Sequence, residues 1–159
     1  YVDSFDLSTE DGQPRGIEFN KSGKIMFILG SGGDEVNQYD LSVAWDVSTA
    51  SASCHPCFAV LPASENELEG LAFNKAGDKM FITGYTNDNV YEYKLSVPWD
   101  VSSASFVDSL NVSGQQGTLR DLWFDSSGKT MFLLGDIGGV IDVYKLSTAW
   151  DISTASFVP

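Results

Sequence analysis

One unit of roughly 50 residues occurs three times along the chain, and this repetition constrains the fold more than any other feature. Between shared landmarks the copies read FNKSGKIMFILG, FNKAGDKMFITG and FDSSGKTMFLLG. Equivalent aromatic residues are spaced by 54 and then by 51 positions: Phe19, Phe73 and Phe124, and likewise Trp45, Trp99 and Trp150. Such a unit cannot bury its apolar face alone, so the repeats are expected to stack on one another.

Each copy has the pattern of short β-strands separated by turns. In the first copy, strands are predicted over Gly16–Asn20, Lys24–Leu29 and Val36–Leu41. A fourth strand fits the segment between copies, as at Phe106–Val112. The first turn opens with Asn or Asp and closes with Gly in every copy, which is typical of tight hairpins. No apolar period of 3.6 residues persists, so helix is expected to be nearly absent.

Four short strands in each unit of about 50 residues are typical of a β-propeller blade. We therefore predict an all-β propeller with four-stranded antiparallel blades, three in each chain. The repeats also resemble NHL and YVTN-type propeller repeats, through Pro14–Ile17, Phe19–Lys24 and the pair Val36 and Tyr39. The LSVAWDVSTAS tail is similar to tandem repeats of environmental and phage-derived surface proteins. The resemblance implies the fold, and this fold supports many unrelated functions.

Three blades are fewer than the about four to eight that close a propeller ring. The N-terminal segment reads as an isolated outermost strand, and the third copy is expected to lack that strand. These features favour a homodimeric ring of six blades, in which Val2–Leu7 of each chain completes the last blade of its partner. The alternative is a piece of a longer array. The predicted repeats are approximately 1–51, 52–105 and 106–159.

The chain is strongly acidic. Its 159 residues include 22 acidic and 9 basic side chains, so the formal net charge is -13. Such a chain repels phosphate, which argues against a nucleic-acid partner. No apolar run approaches the roughly 18 residues of a membrane span, and the N-terminus has no signal-peptide pattern. Surface acidity keeps a protein dispersed in salt, which favours a secreted or extracellular location.

The Trp-Asp pair that follows the third strand of every copy has two interpretations. A ring of identical Trp residues would suit ligand stacking, but an aromatic residue present in every copy is expected to pack between blades. The Asp residues are expected to cap backbone amides two positions further on. The pairs are Trp45 with Asp46, Trp99 with Asp100, and Trp150 with Asp151.

The segment Cys54-His55-Pro56-Cys57 occurs in the first copy alone. C-x-x-C is typical of redox and zinc sites, but no helix follows it here, and two Cys with one His are one ligand short of structural zinc. A local disulfide or a pair of free thiols is the expected state. His55 is the only histidine and is expected far from the inner strands, which argues against a catalytic triad.

The innermost strand differs between copies where it is expected to reach the central channel. Its first position holds Arg15, Glu69 or Arg120, its second Gly16, Gly70 or Asp121, and its fourth Glu18, Ala72 or Trp123. A mixed-charge channel mouth suits a polar ligand. The candidate ligand-binding residues are Arg15, Glu69, Arg120 and Asp121. The alternative is that these charges pair with each other and fill the channel.

Glu69-Gly70 also resembles the blade-opening Glu-Gly of metal-dependent lactonase propellers. In that family the Glu ligates a divalent ion together with Asn and Asp from other blades, and only Glu69 of this ligand set is matched here. The resemblance implies a hydrolase with a metal ion in the central channel. The acidic residues also offer oxygen ligands of the kind that calcium prefers. We predict no cofactor, with calcium as the alternative.

No catalytic constellation is evident, so a non-enzymatic role is favoured over an enzymatic one. We predict a ligand-binding or protein-interaction module, with carbohydrate binding or surface attachment as its role. Its expected partners are a second copy of the chain and a small polar ligand or glycan. The alternative function is the lactonase-like hydrolase.

Overall fold

The computed structural model describes residues 3–8, 12–59, 65 and 67–159, and of residues 54–57 and 59 it describes the backbone alone. The strands of this part of the chain form three four-stranded antiparallel sheets, in which consecutive strands are neighbours. The first sheet contains β1 (Pro14–Phe19), β2 (Ile25–Gly30), β3 (Glu35–Leu41) and β4 (Ala50–Ala59). The second contains β5 (Leu68–Phe73), β6 (Lys79–Gly84), β7 (Asn89–Leu95) and β8 (Ala104–Asn111). The third contains β9 (Leu119–Phe124), β10 (Thr130–Gly135), β11 (Ile141–Leu146) and β12 (Ala155–Val158).

The prediction of an all-β chain with four-stranded antiparallel sheets is confirmed. Helical structure in the described residues consists of three short 3-10 turns, which precede the fourth strands: Val47–Thr49, Val101–Ser103 and Ile152–Thr154. None of the helices in that part of the chain has the length and apolar character needed to cross a membrane.

The first hairpin of each sheet follows from its opening and closing residues. In the second sheet, the Asn74 side-chain Oδ1 accepts hydrogen bonds from the amides of Asp78 and Lys79. Gly77 closes the turn with a φ of 75°, which is unfavourable for residues with a Cβ. The other two copies repeat this geometry with Asn20 and Gly23 and with Asp125 and Gly128.

The three Trp residues pack on these glycines of their own sheets. Trp99 and Trp150 also contact a Phe ring of the preceding sheet, as expected for packing between blades, whereas Trp45 is 61% exposed. In the second copy, the Trp99 amide donates to the Gly77 carbonyl at 2.8 Å. A Cβ at Gly77 would lie 2.2 Å from the Trp99 ring, so the indole occupies the space that the glycine leaves. The predicted caps are also present, because Asp100 Oδ1 accepts from the Ser102 amide at 3.0 Å and its two counterparts do the same.

The sheets stack face against face in chain order. We call the side that points to the next sheet the forward face and the opposite side the rear face. The forward face of the first sheet, with Phe27, Leu29 and Val36, packs on the rear face of the second. The forward face of the second sheet, with Phe81 and Val90, packs on the rear face of the third. Strands β1, β5 and β9 therefore lie side by side.

The third copy corrects one sequence-based expectation. It was expected to lack a fourth strand, but β12 pairs with β11 from Leu146↔Ala155 to Val143↔Val158. The reason is that Phe157 takes the place on Tyr144 that Phe106 takes on Tyr93 in the second sheet. β12 is shorter than β8, with 4 residues against 8.

The segment with two cysteines lies within β4. The register of β4 against β3 shifts between Val36↔Phe58 and Gln38↔Cys54, so the extra residues of the first copy form an irregularity in that strand. The side chains of Cys54, His55 and Cys57 lie outside the described part of the chain, as does the expected choice between a disulfide and free thiols.

Candidate ligand-binding site

The three inner strands enclose a cavity of about 320 Å³. The strands bring the variable positions of the repeat together there, and all four candidate residues line the cavity. Its lining consists of Arg15, Gly16, Ile17, Glu18, Glu69, Leu71, Arg120, Asp121, Leu122 and Trp123.

Glu69 lies at the centre of the charged groups. It is 8% exposed, and its Oε1 lies 2.9 Å from Arg120 Nη1 and 3.8 Å from Arg15 Nε. The carboxylate of the middle strand thus faces a guanidinium from each neighbouring strand. For these three residues, the geometry is the mutual pairing that the sequence left open as an alternative.

Arg120 is held by further contacts. Its Nε and Nη2 donate to Asp136 Oδ2 at 3.0 and 2.6 Å, and its guanidinium carbon lies 4.7 Å from the centre of the Tyr85 ring. The hydrogen bonds from Arg120 lower the pKa of the Asp136 carboxyl. The Arg120 pKa is raised for the same reason. Arg120 therefore lines the cavity as a positively charged side chain that is held in position by its contacts with Asp136 and Tyr85.

Sequence reasoning missed a second set of variable positions. Ser31, Tyr85 and Asp136 are equivalent residues that directly follow β2, β6 and β10. Arg15 Nε donates to Ser31 Oγ at 3.1 Å, and Arg120 Nε donates to Asp136 Oδ2. The residue that follows the second strand therefore contacts the arginine at the first variable position of the inner strand. The signal was present in the repeat alignment, where Ser, Tyr and Asp stand after an invariant Gly.

Asp121 replaces a glycine of the other two copies, and the chain makes room for it at Gly70. A Cβ at Gly70 would lie 2.8 Å from the Asp121 Cα and 3.0 Å from its Oδ1. The Gly70 amide donates to Thr83 Oγ1 at 2.8 Å, which holds β5 in place beneath this contact. The third inner strand can therefore approach the second closely enough to place a carboxylate over the backbone.

Two carboxyl groups of the cavity are electrostatically disfavoured as anions. Burial raises the pKa of Asp121 and also that of Glu18, and for Glu18 the negative charge of Asp121 adds to the rise. Neither group has an ion pair with a described residue. They add polar, hydrogen-bonding groups to the cavity beside the charges that are already paired around Glu69.

Trp123 gives the cavity an aromatic surface. It is 61% exposed, and its ring centre lies 5.7 Å from that of Phe132. The equivalent positions hold Glu18 and Ala72, so the indole is presented on one side of the cavity alone. An exposed indole in the same cavity as two carboxyl groups offers an apolar face together with hydrogen-bond acceptors.

The described residues do not fit a lactonase-type metal ion. Glu69, the one residue that matches the ligand set, is already neutralised by two guanidinium groups. Within the described part of the chain, no three or more His, Cys, Asp or Glu side chains are grouped so that they could hold a metal ion. The expectation of no cofactor, with calcium as the alternative, stays a prediction for metal analysis.

Comparisons with known proteins give similarity in structure rather than in sequence. No family model matches the chain, and no curated protein matches it. Solved structures do match. A putative 6-phosphogluconolactonase from Bacteroides fragilis is 14% identical, with a TM-score of 0.66 over 91% of this chain and 37% of that one. A protein from Lactobacillus plantarum is 13% identical, with a TM-score of 0.67 over 92% and 40%.

A third match is named as a propeller. The Myceliophteria thermophila Cps50 (Swd1) β-propeller domain is 16% identical, with a TM-score of 0.51 over 82% of this chain and 37% of that one. The chain thus spans about two fifths of the length of these structures. At such identities the likeness concerns the fold alone, and it shows that this chain has a β-propeller fold.

Proposed function

We propose that the cavity of the inner strands binds a small polar ligand of the carbohydrate class without catalysis. One observation carries this proposal: the copies share their turns, caps and core, but differ at the positions that face the cavity. The variable residues in the cavity lining are Arg15, Glu69, Arg120, Gly16, Asp121, Glu18 and Trp123. The variable residues Ser31, Tyr85 and Asp136 contact the two arginines of that lining. Sequence differences at a concave polar surface are typical of a recognition site on a repeated scaffold.

The chemistry of the lining favours a neutral, hydroxyl-rich ligand. Arg120 is already bound by Glu69 and Asp136, so it is a poor anchor for an additional anion. Asp121 and Glu18 offer oxygen atoms to hydroxyl donors, and an anion would be repelled by them. The exposed face of Trp123 suits the apolar face of a pyranose ring.

A metal-dependent lactonase-like hydrolase is the other function that the sequence left open. Glu69 would have to leave two guanidinium groups before it could ligate a divalent ion. Binding without catalysis therefore requires fewer changes to the described geometry.

The test is ligand-observed NMR with a series of neutral methyl pyranosides, with gluconate 6-phosphate as an anionic comparison. We expect weak binding of at least one neutral pyranoside, with a Kd of about 1 mM. Trp123→Ala should abolish the transfer of saturation to that ligand, and Asp121→Asn should weaken it. Val97→Ala is the matched control, because Val97 is 53% exposed and does not line the cavity.

Two results would contradict this function. If none of the neutral sugars binds to folded protein, the carbohydrate proposal fails. If the phosphorylated sugar acid alone binds, and binding requires an added divalent ion, the lactonase-like alternative replaces it. Metal analysis of the purified protein also tests the prediction that no calcium is bound.

We also propose that a second copy of the chain completes the cavity, in a ring of six blades to which Val2–Leu7 contributes an outer strand. β12 pairs with β11 from Val143 onward and leaves Ile141 and Asp142 without a partner on that edge among the described residues. In the second sheet, β8 pairs with the equivalent Val90 and Tyr91. A strand from another copy would fit there. Val2 itself lies outside the described residues.

A further inference from the structure

The two junctions between the sheets share one aromatic arrangement. At the first junction, Phe27 on the forward face packs against both Phe73 and Trp99 of the next sheet, with ring centres 4.5 and 6.2 Å away. At the second junction, Phe81 packs against both Phe124 and Trp150, at 4.6 and 6.2 Å. We call the Phe-Trp pair the clasp. Each junction thus consists of one inserted Phe and one clasp.

Both halves of a third such junction are present without a partner in the described residues. The unused clasp is Phe19 with Trp45, whose ring centres are 5.3 Å apart, as against 5.4 Å for Phe73 and Trp99. Trp45 is 61% exposed. The unused insertion is Phe132 on the forward face of the third sheet. The two halves lie at opposite ends of the stack, so they cannot meet within one chain.

Apolar side chains around each half of the unused junction are also exposed to solvent. On the forward face of the third sheet, Leu134 is 47% and Ile141 63% exposed, whereas the equivalent Leu29 and Val36 are fully buried. On the rear face of the first sheet, Ile17 is 57% exposed, whereas its equivalents Leu71 and Leu122 are buried at 5% and 4%. A sheet face that stays in contact with solvent normally carries polar residues.

We propose that the forward face of the third sheet is a docking surface for the rear face of the first sheet of a second copy of this chain. The occupant follows from the chain's own two junctions, in which this pair of faces is already in contact. Docking in both directions would close two copies into a ring with two-fold symmetry. The proposal supplies contact surfaces for the proposed homodimer. Trp123 lies on the same forward face, directly opposite Phe132 in the strand pairing, so docking would cover part of the indole surface assigned to the ligand.

One polar feature distinguishes this junction from the internal ones. Gln38 Oε1 accepts from the Val101 amide at 3.1 Å across the first junction, and Glu92 Oε2 accepts from the Ile152 amide at 3.0 Å across the second. The equivalent residue of the third sheet is Val143, which has no acceptor. Docking between copies should therefore be weaker than the internal junctions, and it should become tighter when an acceptor is supplied.

The N-terminal segment covers part of the rear face of the first sheet. Phe5 contacts Tyr39, with ring centres 5.2 Å apart, and Leu7 packs against the same cluster. This cover does not extend over Trp45, which keeps its exposure. The clasp is therefore available, and docking requires residues 3–8 to move aside.

A complementation experiment by sedimentation equilibrium tests the proposal. Ile141→Asp places a charge on the forward face, and Ile17→Asp places one on the rear face. Both side chains are more than half exposed in the single chain, so neither substitution should prevent folding. Each variant alone should be monomeric up to about 100 µM, a loss of at least about a hundredfold in association. An equimolar mixture should form a 1:1 dimer, because one intact face of each kind remains. Val97→Asp is the matched control and should associate like the parent chain.

Val143→Gln provides a test in the opposite direction. By restoring the acceptor that Gln38 provides at the first junction, it should tighten association by about fivefold to tenfold. The proposal is overturned if the Ile17→Asp variant still dimerises alone, because the forward face would then pair with something other than a rear face. It is equally overturned if the mixture stays monomeric while both variants are folded by circular dichroism.

Discussion

The second and third sheets present nearly the same forward face in two different environments. Phe81 and Val90 are fully buried against the third sheet, whereas Leu134 and Ile141 of the third sheet are about half exposed or more. The third copy has nevertheless kept an apolar face, and it even has Leu134 where the second copy has Thr83. The comparison teaches that burial here is set by the presence of a neighbouring sheet, and that the third sheet is built as though it had one.

The largest expected effect is the difference in stability between equivalent Phe substitutions in the second and third sheets. Phe81→Ala removes a fully buried ring that packs against Phe124 and Trp150, so it should lower the free energy of unfolding by about 3–5 kcal/mol. Phe132→Ala should cost less than about 1 kcal/mol in the monomer, because no sheet covers it there. Urea denaturation of both variants at low protein concentration measures the difference. Equal losses would contradict the assigned environments.

A second, smaller effect concerns the polar link across each junction. Glu92→Ala removes the partner of Lys79, whose Nζ lies 2.5 Å from Glu92 Oε1, and it leaves the Ile152 amide without its acceptor. We expect the free energy of unfolding to fall by about 2–3 kcal/mol, since the Ile152 amide is buried and the Lys79 ammonium group is partly buried. Gln38→Ala should cost about 1–2 kcal/mol, because the hydrogen bond that it removes from the Val101 amide is a neutral one. Val143→Ala is the matched control on the third sheet, and a loss there as large as for Glu92 would contradict the account.

The smallest effect sharpens the account of the cavity. Burial raises the Asp121 pKa, so the protonated carboxyl contributes stability that is fully present below its ordinary value of 3.8 and is lost as the pH rises through the raised pKa. Asp121→Asn should therefore increase Tm at neutral pH and leave it nearly unchanged below pH 3.8. The corresponding increase in the free energy of unfolding should be less than about 1 kcal/mol, because the side chain of Asp121 is partly exposed. A gain that is larger in acid than at neutral pH would contradict the raised pKa.

Local sequence patterns predicted most of the strands. The turn residues Asn74 and Gly77 and their equivalents mark the first hairpin, because one side chain accepts from the turn amides and the glycine adopts a positive φ. The repeat alignment also brought Arg15, Glu69 and Arg120 to one cavity, because equivalent positions on stacked sheets lie side by side.

Contacts made by residues of the turns and of the segments between copies were not predicted. Asp136 was missed as a partner of Arg120, since it belongs to a turn rather than to the inner strand. Glu65 was also missed. It is 5% exposed, accepts from the Thr86 amide at 2.8 Å and from Tyr91 at 3.1 Å, and lies where a Cβ on Gly84 would collide. These partners depend on tertiary packing, which spacing along the chain does not encode.

The most direct test of the central claim is the mass of the unmodified chain in solution. Light scattering on a sizing column, from about 1 to 100 µM, distinguishes one copy from two. The account predicts a species approaching twice 17.3 kDa at the upper concentrations, with the fraction rising as the concentration is raised. A single species at 17.3 kDa across the whole range would contradict the claim that the exposed faces of the first and third sheets are two halves of one junction.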